Sequence, residues 1–293
     1  MESVQNCNCC GSDKFSLLLT KDSFSIVKCK NCGLVFSESF PSQEELSSLY
    51  SKEFFTDQTR LQYYIADEGT NIIKAQSKLK TVVGYKKDGR LLDVGCAFGT
   101  FLKLMKENGW ETWGSEISGY AADYSRKSTG SKIISGDFLN ADFSQEHFDV
   151  VTMWDYIEHV KDPYSNLKKA EQLLKNGGFL FISTVDIGSL FAKILGKRWK
   201  LIKPKLHLYY FDQKSIFGLL KKAGFKVVEK KNEGRYFNLE YLLRTSAQEY
   251  RSRCVHALCR GLLNINDKTK ILPKRVYINF GDIMTVTAVK PQK

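Results

Sequence analysis

The run "RLLDVGCAFGTFL", residues 90–102, limits what this chain can become more than any other stretch. An apolar strand ends on Asp93, breaks into a loop carrying Gly95 and Gly99, and re-forms as a helix from Thr100. A strand–glycine loop–helix unit of this kind belongs to open sheets with helices on both faces, in which ligands bind beyond the carboxyl ends of the strands. Apolar segments compatible with further strands follow at "TWGSEI", "SKIISG", "FDVVTMW", "GFLFISTV", "FKVVEK" and "IMTVTAV". The expected fold is therefore α/β, a doubly wound, mostly parallel sheet of seven strands. Between two of the strands, "DPYSNLKKAEQLLKNGG" reads as a helix capped by Asp162, with Pro163 in its first turn and Gly177 at its end.

The loop is not a general phosphate cradle. A dinucleotide loop needs G-x-G-x-x-G and a triphosphate loop ends in Gly-Lys-Ser/Thr. Here Gly95 and Gly99 enclose Ala97, and the next lysine is Lys103. Glu116 falls 21 residues after Gly95, where a carboxylate at the end of the second strand can hold two ribose hydroxyls. The pattern suits a nucleoside with a small charged group rather than a pyrophosphate.

Ahead of this domain, Cys7-x-x-Cys10-Gly and Cys29-x-x-Cys32-Gly repeat one another, with 18 residues between Cys10 and Cys29. Two such knuckles fit a tetrahedral, structural Zn2+ with four thiolates and no open position. Cys9 is an off-pattern extra that could substitute for Cys7 as a ligand. "FSLLLT" and "FSIVKC" supply the strands of a small ribbon spanning residues 1–40. Residues 41–88 form a helical linker or cap, opened by a capping box at Ser42 and Glu45. The α/β domain occupies 89–293, with a helical insertion over about 236–275 before the last strand.

The net charge of +12 is locally concentrated: residues 193–205 hold six Lys or Arg and no acid. Such a cluster favours an anionic partner. Leu190, Phe191, Ile194 and Leu195 precede it, so the segment reads as a helix packed on the sheet, a lid over an acceptor, or a patch on an anionic membrane surface. The N-terminus lacks the succession of a signal peptide and no apolar run approaches the roughly 20 residues of a membrane span, so a cytoplasmic location is expected.

With "GDF" at 136–138, "FDVVTMWDYIEHVKDP" and "LLKNGGFLFISTV", the chain resembles the class I S-adenosylmethionine-dependent methyltransferases. The resemblance is to the branch akin to ubiquinone-pathway O-methyltransferases and to zinc-ribbon sugar methyltransferases. It implies a pocket shaped by Asp93, Gly95, Cys96 and Gly99 around the methionine end of the cofactor. Glu116 would bind the ribose, Asp137 and the Phe138 amide the adenine, and Trp154 and Asp155 would flank the sulfonium. Ala97 stands where the family usually has a second glycine. His159, in "IEHV", and His207, in "KLHLYYF", are the candidates for a general base. No His/Asp/Glu metal cluster is evident along this rim.

Three functions remain open at this level. The first is methyl transfer to a small or lipid-linked hydroxylated molecule such as a sugar nucleotide or glycan precursor. The second is RNA methylation, disfavoured because the ribbon's lysines are offset by acids and no stacking platform follows the fourth strand. The third is a binding module without catalysis.

Overall fold

The computed structural model describes residues 2–42, 45, 68–238, 260–263 and 275–292. The main sheet runs β12-β13-β10-β9-β6-β7-β8, built from β6 (Arg90–Val94), β7 (Glu111–Glu116), β8 (Lys132–Ser135), β9 (Phe148–Trp154), β10 (Leu174–Val185), β12 (Lys226–Asn238) and β13 (Arg275–Val289). The pairs β8–β7, β7–β6, β6–β9 and β9–β10 are parallel. β13 inserts antiparallel between β10 and β12. This is the expected doubly wound, mostly parallel seven-stranded sheet.

Its strands are apolar without alternation because both faces are covered. Leu92, Val151 and Ile182 face a core closed by the helices Pro163–Leu173 and Gln213–Ala223. Their neighbours Leu91, Val150 and Phe181 face the opposite core, with Phe101, Leu102 and Met105 of the helix Thr100–Glu107 and Val82 of the helix Glu68–Val83.

Two local expectations are corrected. Asp162 does cap its helix, accepting the Ser165 N–H at 2.9 Å, but the helix ends at Leu173 rather than at Gly177. Leu174 already pairs with Phe148, and Gly177 lies in the irregular first part of β10. The second concerns residues 236–238, expected inside a helical insertion. They extend β12, where Arg235, Tyr236 and Phe237 pair with Ile278, Tyr277 and Val276. Cross-strand pairing of these aromatic residues outweighs the helical tendency of the following sequence. Of residues 239–274, only 260–263 are described, and they are helical. Most of the expected linker helix, 43–67 apart from Glu45, also lies outside the described residues, but its capping box is present. Ser42 N–H donates to Glu45 Oε2 and Glu45 N–H to Ser42 Oγ.

The N-terminal module pairs β1 (Glu2–Ser3) with β5 (Ser39–Phe40) and holds a second sheet, ordered β11-β4-β3-β2, from β2 (Phe15–Lys21), β3 (Phe24–Cys29), β4 (Val35–Ser37) and β11 (Tyr209–Tyr210). Its edge strand thus comes from far along the chain. Phe36 and Phe40 pack on Tyr209. Asn8 joins the module to the main domain, donating to Asp162 Oδ1 and accepting from the Tyr164 N–H, both at 2.8 Å.

Candidate active site

Four adjacent parallel strands deliver the carboxylates to one rim. Asp93 lies in β6, Glu116 ends β7, Asp137 follows β8, and Trp154 and Asp155 close β9. The loop after β6 needs its glycines. Gly95 has φ +75°, and a Cβ there would come within 2.7 Å of the Tyr156 ring; Gly99 has φ +77°, and a Cβ would strike Ser125 and Thr129. Ala97 adopts φ 46°, a left-handed conformation that costs an L-residue about 1–2 kcal/mol. Its N–H compensates by donating to Glu116 Oε2 at 2.9 Å, while Ser118 N–H donates to Oε1. Glu116 is buried, and burial raises its pKa against those two hydrogen bonds. Each oxygen keeps a second lone pair for a ligand hydroxyl.

Asp93 is likewise buried, accepts from Thr152 Oγ1 at 2.6 Å, and is pushed up to about 7 by loss of solvation. Asp137 is exposed and accepts the Leu139 N–H. The Phe138 side chain is in the core, so only its backbone is placed toward the rim. The Cys96 side chain is also core, beside Leu102 and Ile133. Trp154 packs on Phe101 and Phe181, and its Nε1 has no partner. Asp155 has φ 51° and is held by Ser183, whose Oγ donates to Asp155 Oδ1 at 2.9 Å.

Lys78, which no sequence motif marks, reaches this rim from the helix Glu68–Val83. Its Nζ lies 5.1 Å above the Trp154 ring, and its charge acts on Asp93 and Glu158. A lysine in a polar helix carries no sequence signal for such a role.

His159 lies in the turn after β9, ahead of the helix that begins at Pro163. His207, distant in sequence, stands edge-on to it with ring centroids 4.9 Å apart. His159 Nδ1 lies 2.9 Å from Leu206 O, and His207 Nδ1 lies 2.8 Å from Leu201 O. A carbonyl can only accept, so each Nδ1 carries the proton and each Nε2 keeps its lone pair. Burial lowers both pKa values, which leaves both rings neutral near pH 7. Beside them Glu158 is buried, is pushed up to about 8 by burial and the Asp155 charge, and has an Oε2 without a partner. The sequence showed no metal-type cluster on this rim, and that expectation is corrected. Glu158, His159 and His207 each offer a ligand atom, all within 4.8 Å of one another. β11 makes the convergence, because Leu208 and Tyr209 N–H both donate to Glu158 O.

The four expected cysteines also meet. Sγ atoms of Cys7, Cys10, Cys29 and Cys32 lie within 4.8 Å of one another, with Cys7–Cys32 at 3.5 Å and Cys10–Cys29 at 3.6 Å. Four thiolates at zinc distances would be about 3.8 Å apart, so the residues fit the ion. The knuckles are equivalent: Gly11 N–H donates to Cys7 O and Gly33 N–H to Cys29 O. Burial pushes Cys7 up to about 11 and raises Cys32 as well, so metal binding must displace protons from them. Cys9 is outside the four-sulfur group, and its carbonyl accepts from Lys222 Nζ.

A family profile described as a methyltransferase domain matches residues 59–230, more than half of the chain. The ubiquinone biosynthesis O-methyltransferase of Cereibacter sphaeroides strain KD131 is 30% identical over 169 residues, 51% of this chain and 64% of that protein. That of Actinobacillus pleuropneumoniae serotype 7 is 33% identical over 107 residues, 33% of this chain and 46% of the relative. The chain thus spans less than two thirds of the length of these curated relatives. Among solved structures, an S-adenosylmethionine-dependent methyltransferase from Thermotoga maritima aligns with TM-score 0.52 at 21% identity, covering 81% of this chain and 97% of that one. One from Archaeoglobus fulgidus aligns with TM-score 0.50 at 22% identity, covering 78% and 99%. These two likenesses show the fold. By the extent of the profile match, this chain belongs to the methyltransferase-domain family.

Proposed function

We propose that this chain transfers a methyl group from S-adenosylmethionine to a hydroxyl of a small or lipid-linked molecule, a sugar nucleotide or glycan precursor being the class in view. The observation that carries this reading is the rim itself: Asp93, Glu116 and Asp137 end three neighbouring strands, and two neutral histidines stand beyond the fourth. Bound at this rim, S-adenosylmethionine supplies a methyl group already activated by positive sulfur. Glu116 would hold the ribose hydroxyls through its remaining lone pairs, and Asp137 the adenine. Asp93, ionised on binding, would face the positive end of the ligand, with Cys96 contributing only backbone. Trp154 and Asp155 would border the transfer position.

In such a transfer the acceptor oxygen would gain the carbon bond as the sulfur–methyl bond broke, and its proton would have to leave. The free Nε2 lone pair of His159 is suited to take it, while His207 orients the acceptor. The relatives are named as O-methyltransferases, which supports a hydroxyl nucleophile. Structural zinc in the ribbon would be held by Cys7, Cys10, Cys29 and Cys32, outside the transfer step.

Incubation of the protein with cofactor carrying a labelled methyl group and pooled cellular metabolites tests the reading. Label should enter an oxygen-linked methyl. His159→Ala should lower the rate about 10²–10⁴-fold with cofactor affinity retained. His207→Ala should raise the acceptor concentration needed. Wild-type rates in both variants would mean a nucleophile that needs no base, and the hydroxyl reading would fall.

A further inference from the structure

The segment joining β10 to β11 presents a surface that methyl transfer does not explain. Its short helix, Leu190–Leu195, is anchored on one side only. Ala192 is buried, and Phe191 stacks on Phe280 with centroids 4.4 Å apart. Leu190 and Ile194, four residues apart and so on one face, are 75% and 72% exposed. The helix thus packs on the sheet through Phe191, Ala192 and Leu195, and that packing leaves Leu190 and Ile194 uncovered. The next turn is firmly held. Trp199 is buried with its Nε1 donating to Asp282 Oδ2 at 2.8 Å, Ile202 is buried, and Lys21 Nζ donates to Trp199 O. The two aliphatic tips therefore stand on a rigid base.

Cations lie between them and follow them along the chain. Lys193, Lys197, Arg198, Lys203 and Lys205 are all exposed, and no acidic residue occurs between Asp186 and Asp212. We infer that this face rests on an anionic bilayer surface, with Leu190 and Ile194 entering the headgroup–acyl boundary and the lysines meeting lipid phosphates. Exposed aliphatic tips next to a run of basic residues are the arrangement that surface-bound segments use. A nucleic acid is disfavoured because the aromatic residues here, Phe191 and Trp199, are turned inward and leave no stacking platform. A second copy is disfavoured because a two-fold contact would set the patch against its own charge. The surface stands independently of the catalytic reading; were the acceptor lipid-linked, it would lie a few residues from His207.

The test is flotation of the full chain with vesicles of phosphatidylcholine alone and of phosphatidylcholine mixed with phosphatidylglycerol. The chain should float with the mixed vesicles and stay behind with the neutral ones. Leu190→Ser with Ile194→Ser should weaken that partition at least about tenfold, and Lys197→Glu with Arg198→Glu should do likewise. Calorimetric cofactor binding should match wild type in both variants, showing them folded. Three results would overturn the inference: partition unchanged by the serine pair, equal partition onto neutral vesicles, or a dimer that the serine pair dissociates while the wild type ignores lipid. Sensitivity to charge reversal alone would likewise overturn it, in favour of a general polyanion surface.

Discussion

At Asp93, burial outweighs hydrogen bonding. Thr152 donates to the carboxyl, yet it is pushed up to about 7, against about 3.9 for an exposed aspartate. Between those values the folded chain keeps a proton that the unfolded chain releases. Stability of the ligand-free protein from this residue therefore falls as pH rises from about 4 to about 7, by at most about 4 kcal/mol. His159 and His207, with depressed folded values, act in the opposite sense and lose stability as pH falls below about 6.5. The comparison that isolates Asp93 is thus thermal melting of Asp93→Asn against wild type across this range. The variant should gain on wild type steadily as pH rises, and parallel curves would contradict the account. The carboxylate spacing of this rim was legible because each residue sits at a strand end within a short local motif. Lys78, Thr152 and Ser183 were not, because each matters only through a neighbour that the fold supplies.

Among the elements, the cysteine knuckles were readable from spacing alone, since each is a closed local turn. The meeting of His159 with His207 was not, for it depends on β11 pairing with β4 of the ribbon and donating to Glu158 O. The end of the helix after Asp162 was misplaced for a similar reason: Leu174 leaves it to pair with Phe148. The ribbon is thus one piece with the histidine pair's support, and its integrity can be measured. Purified protein should carry one zinc per chain by elemental analysis. Cys29→Ser should lose the metal and melt at a lower temperature, because structural zinc contributes folding free energy directly. Full zinc content with an unchanged melting profile would show that the four sulfurs do not bind it.

For the whole molecule, one main sheet joins the sites. Its carboxyl-end rim carries the candidate cofactor residues, β10 leads to the exposed basic segment, and β11 returns the chain to the ribbon. No helix among the described residues is long and apolar enough to cross a membrane. The central claim is that this rim binds S-adenosylmethionine through Glu116. Calorimetric titration of the full chain with that ligand measures it directly. The account predicts one site per chain and, for Glu116→Ala, affinity lower by about tenfold or more, the loss of hydrogen bonds to a charged group. Equal affinity in the two proteins would contradict the ribose assignment, and no binding to wild type would contradict the cofactor.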